Sequence, residues 1–208
     1  MKLSFTSLAL LSLLFFSCTG TKLTTVWKDP KLKQAQYKKI IVVGLMDDIK
    51  NRALRERVET HMAEDLTQMG YSAQAAYQMY GPRSFTDKKE EEVINLLRKD
   101  GYDAVITVTL IDIEKESNYV QGYVDFWPGG IYYSRFGRYY YYWHNRIYQP
   151  GYYVTNTTYL IEGNLFDISL DKLVFSAQTE SMDPGTVDNL GHRFSKTLIR
   201  SMREKNVL

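Results

Sequence analysis

Apolar residues recur along this chain with two different periods, and the switches between them mark out its elements. Ile40-Ile41-Val42-Val43-Gly44 is a continuous run rich in β-branched residues. It predicts a short strand covered on both faces, as in a parallel sheet. Leu54, Val58, Met62, Leu66 and Met69 then recur at helical spacing. Asp47, Asp48 and Asn51 precede them as candidate helix caps, and Gly70 sits where a left-handed C-terminal cap is expected. Residues 71–76 read as a second strand, which completes a strand–helix–strand unit with a right-handed crossover. Asp87 and Glu90 have capping-box spacing ahead of Val93, Leu96 and Leu97, and Gly101 is the expected stop of that second helix. Residues 104–113, nearly all apolar or threonine, predict a central strand beside residues 40–43.

The second half alternates. Residues 152–168 place Val154, Thr158, Leu160 and Phe166 on one side, and residues 173–179 follow after the Ser169-Leu170-Asp171-Lys172 turn, so the pair predicts a β-hairpin. Gly163 within the longer strand marks an expected bulge or bend. Asp183 and Pro184 read as N-cap and first residue of a last helix with an apolar face of Val187, Leu190, Phe194, Leu198 and Met202. Near the start, residues 23–26 form a candidate edge strand that Pro30 ends. The order β-α-β-α-β, a long insert, then β-β-α predicts an α/β (α+β) fold. One mixed sheet of about five strands carries helices packed on it.

The chain has 208 residues. Beyond the first 17, its length suits a single domain, able to bury most of its apolar surface without staples. With 26 basic and 24 acidic residues, the net charge is +2. That balance gives no general drive toward nucleic acid. The single cysteine cannot form an intramolecular disulfide.

Its position explains it. Met1 and Lys2 are followed by an apolar run from residue 3 to 16, short of the roughly 20 residues that a spanning helix needs. The run fits the apolar region of a signal peptide over residues 1–17. Ser17 before Cys18, after a leucine-rich run, resembles the lipobox of bacterial lipoproteins. There the cysteine sulfur receives a diacylglycerol, and cleavage leaves the lipidated cysteine first. Phe15 and Phe16 stand where that family prefers Leu and a small residue, a loosened pattern that resembles the lipoboxes of Bacteroidetes-type bacteria. Thr19, in place of Asp, resembles the signal for outer-membrane delivery. The alternatives are an uncleaved anchor and ordinary secretion with a free thiol. Residues 18–22 are then a lipidated tether and residues 23–208 the domain.

Composition changes the picture most at residues 119–153, which hold eleven of the 17 tyrosines and two of the three tryptophans. The centre is Tyr139-Tyr140-Tyr141-Tyr142-Trp143, flanked by Arg138 and Arg146. Three roles fit: a flap that covers the sheet, a surface that binds an envelope protein or glycan, and a segment in the lipid headgroup zone. Aromatics interleaved with arginine also suit nucleic acid, which an envelope address disfavours.

Catalytic patterns are not found. His61, His144 and His192 are scattered, and no pair has zinc-site spacing. Gly44-Leu45-Met46-Asp47 lacks the later glycines and lysine of a phosphate loop. No serine lies in a nucleophile elbow. Asp47 and Asp48 adjoin a strand end, where sites collect in open α/β sheets, but they also fit capping. Asp167, Asp171 and Asp183 are turn and cap residues by position. No cofactor or metal is expected.

Trp27-Lys28-Asp29-Pro30, Lys39-Ile40-Ile41-Val42-Val43-Gly44, Tyr102-Asp103-Ala104-Val105, Pro150-Gly151-Tyr152-Tyr153 and Leu165-Phe166-Asp167-Ile168 together resemble a group of uncharacterised bacterial lipoproteins with a domain of unknown function. More distantly, the layout is similar to the small α/β domains of envelope assembly lipoproteins such as the curli secretion channel subunit, a likeness of fold alone. The resulting expectation is a membrane-anchored, non-catalytic binding or assembly domain acting through the tyrosine-rich segment. The alternatives are an envelope hydrolase with Asp47 or Asp48 as its acid, and a structural lipoprotein without a ligand. Protein taken from native membranes is expected to lack residues 1–17 and to carry acyl chains on Cys18. Mass spectrometry reads this directly, and an unmodified thiol on a soluble product overturns it.

Overall fold

The structure, a computed structural model, describes residues 20–32, 37–46, 50–82, 85, 88–120 and 152–208. Among them the order is β1 (Thr21–Lys28), β2 (Lys39–Leu45), α1 (Arg52–Gln68), β3 (Ser72–Ala75), α2 (Ala76–Tyr80), α3 (Glu90–Lys99), β4 (Ala104–Val120), β5 (Tyr152–Asp167), β6 (Lys172–Met182) and α4 (Val187–Glu204). The six strands form one sheet in the order β1-β6-β5-β4-β2-β3. β2 runs parallel to β3 and β4, and β6 is antiparallel to β1 and β5. The mixed sheet is as expected, and the strand beyond the expected five is the edge strand β1. The chain divides into two compact units, Met1–Glu114 with Thr158–Leu208, and Lys115–Thr157.

In the first unit, Ile40, Ile41 and Val42 are wholly shut off from water and Val43 nearly so, as a two-face strand requires. Ile40 and Val42 join the larger core with Val58, Met62, Leu66, Phe194 and Leu198. Ile41 and Val43 join a smaller cluster on the other face with Ala76, Leu97, Tyr102 and Ile168. Gly70 and Gly101 take positive φ (96° and 79°) where α1 and α3 end, a conformation that strains any residue with a Cβ. Asn51 holds the N-cap position of α1 but makes no side-chain capping bond. The N-cap of α3 is Lys89, not Asp87, and Asp47, Asp48 and Asp87 lie outside the described residues. The five-residue α2 has no counterpart in the sequence pattern, because a single helical turn is too short to show a period.

Of the two sides that alternation gives β5, the core face is the one with Ile161, Gly163, Leu165 and Asp167 buried, opposite Thr158, Leu160 and Phe166. Alternation fixes two faces, and only the helix layer decides which is covered. Gly163 forms no bulge: it pairs regularly with Ala177, and the register shift falls at Leu165/Phe166. Its role is close approach, since a Cβ there would lie 2.3 Å from Leu198 Cδ2 on α4. Finally, β6 runs on to Met182, so Asp183 takes φ 41° in the connection. The N-cap of α4 is Thr186, whose hydroxyl accepts from the Asn189 N–H at 3.1 Å. Leu190, Phe194, Leu198 and Met202 form the buried face of α4, while Val187 in its first turn is exposed.

Asp167 organises the β5–β6 turn, accepting from Ser169 Oγ (2.6 Å) and the Leu170 N–H (2.9 Å), with the Tyr37 hydroxyl at 3.4 Å. Asp29 accepts from Lys172 and from the Lys31 N–H, and so fastens the end of β1 to the start of β6. Gly163→Ala is expected to cost about 1–3 kcal/mol through overpacking against Leu198, seen as a lower urea midpoint with an unchanged slope.

Candidate functional site

Two regions came forward from sequence, the tyrosine-rich insert and the ends of the parallel strands. Cys18, Arg138, Tyr139, Tyr140, Tyr141, Tyr142, Trp143 and Arg146 lie outside the described residues. The margins of the insert are described. In the unit Lys115–Thr157, Ser117 Oγ and Thr155 Oγ1 are 3.0 Å apart, and the Tyr119 and Tyr153 rings meet at 5.0 Å and 54°. Contacts that step inward on one strand and outward on the other belong to an antiparallel ladder. Tyr119, Tyr152 and Tyr153 are 55%, 63% and 72% exposed. Neighbours on a strand point to opposite faces, so Tyr152 and Tyr153 present phenols on both sides of this ladder. Each offers a flat apolar ring with a hydroxyl that both donates and accepts.

At the end of β2 stands a carboxylate that the sequence did not single out. Glu59 of α1 is 2% exposed. Its Oε1 accepts from the Gly44 N–H and its Oε2 from the Tyr77 N–H, both at 2.8 Å. Burial pushes the Glu59 carboxyl above the usual carboxylate range, against the pull of these two bonds and of Arg55. Gly44 is required there, since a Cβ would lie 2.3 Å from Arg55 Cγ. With each oxygen held by a backbone N–H, Glu59 clamps β2, α1 and α2 together.

His61 and His192, scattered in sequence, come together where α1 and α4 meet. Their rings pack edge to face at 5.4 Å, and His61 Nε2 lies 3.0 Å from Asp188 Oδ1. Arg57 is 3.5 Å from the same oxygen. The His61 contact holds the Asp188 carboxyl below its ordinary range. Gly191 permits the approach, since a Cβ would lie 3.3 Å from His61 Cδ2. Among the described residues no three His, Cys, Asp or Glu side chains form a metal-binding group. An open groove of about 730 Å³ follows the same helix pair, with Asp65, Met69, Lys196, Arg200, Arg203 and Glu204 on its walls. Its charges are of both signs and select no ligand.

No protein-family model and no curated protein matches the chain. Among solved structures it is similar to the dodecamer of PelC from Paraburkholderia phytofirmans, with 11% identity over 86% of this chain and 94% of that one and a TM-score of 0.43. It is also similar to the lipoprotein GNA1162 from Neisseria meningitidis, with 13% identity over 80% of this chain and 99% of that one and a TM-score of 0.43. At these values the likeness transfers no residue role and no activity.

The Glu59 clamp generates a pH test. A carboxyl raised in the fold favours the folded state fully below its unfolded pKa, ordinarily 4.5, and that contribution is lost as pH rises through the raised value. Glu59→Gln, which leaves one backbone N–H facing an amide, is expected to lower stability by about 1–3 kcal/mol. It should also flatten the decline above pH 4.5, as read from urea unfolding across pH.

Proposed function

We propose that this chain is a non-catalytic lipoprotein of a bacterial envelope, held through Cys18 on the periplasmic face of the outer membrane. Its residues 115–157 bind an envelope protein through tyrosine side chains. The supporting observation is the exposure of Tyr119, Tyr152 and Tyr153 at the margins of a compact unit of its own. Covering one such ring gains on the order of 1.5–3 kcal/mol, and tyrosine and arginine are the residues that anchor interfaces. Tyr139 to Tyr142, Trp143, Arg138 and Arg146 lie between these margins in sequence and carry the same chemistry. The address follows from the leader and the cysteine at its boundary, and tethering to a membrane raises the effective concentration of any partner in that layer.

Crosslinking pull-down from intact cells tests the reading. A variant with Tyr119→Ser, Tyr152→Ser and Tyr153→Ser is expected to fold, to fractionate with the membrane, and to lose partner capture by about tenfold or more. Capture equal to that of the unaltered protein overturns the binding role. Deleting residues 126–149 separates binding from folding: a deletion variant that cannot fold assigns the segment to covering the core.

A further inference from the structure

Among the described residues, the two buried clusters cover the two faces of the sheet unequally. The smaller buried cluster gathers residues from β2, α2 and α3 and from positions near them, and includes none from β1, β5 or β6. On this side of those three strands the side chains align in rows. Trp27, Ser176 and Asn164 stand abreast across β1, β6 and β5, and Thr25, Gln178 and Glu162 form the next row. Residues two apart share a face. The intervening Val26, Ala177 and Gly163 point the other way, into the main core and against α4. Trp27 is 46% exposed. Thr25 Oγ1 donates to Gln178 Oε1 (3.2 Å), Gln178 Nε2 donates to Glu162 Oε2 (2.9 Å), and Asn164 Nδ2 donates to Glu162 Oε1 (2.8 Å). The network ties the Gln178 and Asn164 amides together through Glu162, in the two rows that include Trp27 and Thr25.

We infer that this face, centred on Trp27, Gln178 and Asn164, is a binding platform for an uncharged oligosaccharide. The mixture of groups selects that ligand. A sugar hydroxyl donates and accepts at once, which matches amide and hydroxyl groups that have more N–H and lone-pair positions than these three bonds use. The apolar C–H face of a pyranose stacks on an exposed indole, as Trp at binding surfaces does with other apolar groups. An anionic ligand meets Glu162 and, one row on, Glu180, which pairs with Leu160 and with Lys22. An apolar helix laid here would cut the network's polar groups off from water, each group left unpaired costing about 1–3 kcal/mol. Three strands and two rows span roughly 10 Å by 7 Å, room for one or two sugar rings. All six residues lie in the first unit, and Tyr119, Tyr152 and Tyr153 in the other.

Calorimetric titration of the full-length protein in detergent, with a neutral glucan hexasaccharide and an N-acetylglucosamine hexasaccharide as probes, tests this. At least one probe is expected to bind in the micromolar to millimolar range. Trp27→Ala and Gln178→Ala should each weaken it by about tenfold or more without moving the thermal midpoint by more than a few degrees. The tyrosine triple variant should bind the probe unchanged, which keeps this result distinct from the pull-down. No binding of either probe, or binding that survives Trp27→Ala in a folded variant, overturns the platform.

Discussion

Ile40 and Val42 face one way along β2, Ile41 and Val43 the other, and all four are closed to water. A strand so apolar on both faces holds its place only if something covers each side. α1 and α4 lie over one side, and α2, α3 and the Tyr102 ring over the other. The parallel arrangement of β2 with β3 and β4 follows, because the connections that supply the cover are crossovers. β6 answers to a lesser demand, with one face buried and the opposite face polar.

Close contacts of different kinds hold the cover in place. Gly163 and Gly191 remove a Cβ where α4 meets β5 and α1, so the helix sits nearer than larger residues would permit. Glu59 fixes α1 to β2 and α2 through two backbone N–H groups, at the cost of a buried carboxylate. His61, His192 and Asp188 close the edge where α1 meets α4. Each joins segments far apart in sequence, and each makes the fold sensitive to a single side chain.

Two surfaces then offer recognition chemistry of different kinds. Tyr119, Tyr152 and Tyr153 are large rings in water, suited to anchoring a protein. The Trp27, Gln178 and Asn164 face is hydrogen-bonded through the Glu162 carboxylate and suits an uncharged, polyhydroxylated ligand.

Local pattern fixed much of this protein. The all-apolar run at residues 40–43, the helical spacing from Leu54 to Leu66 and from Leu190 to Met202, and the glycines at 70 and 101 named their elements directly, because burial and backbone sterics act within a few residues. The expected leader and lipidated Cys18 are also read from adjacent residues, and lie outside the described ones. Tertiary structure decided what depends on partners remote in sequence. Alternation in β5 could not say which face α4 would cover, and Gly163 reads as a bulge until Leu198 is placed above it. His61 and His192 stay scattered until α1 and α4 are set side by side. Trp27, Gln178 and Asn164 become one surface only through the register of β1, β6 and β5. A strand carries its own period, but register and layer order are set by the whole sheet, and the sites made from them belong to the fold.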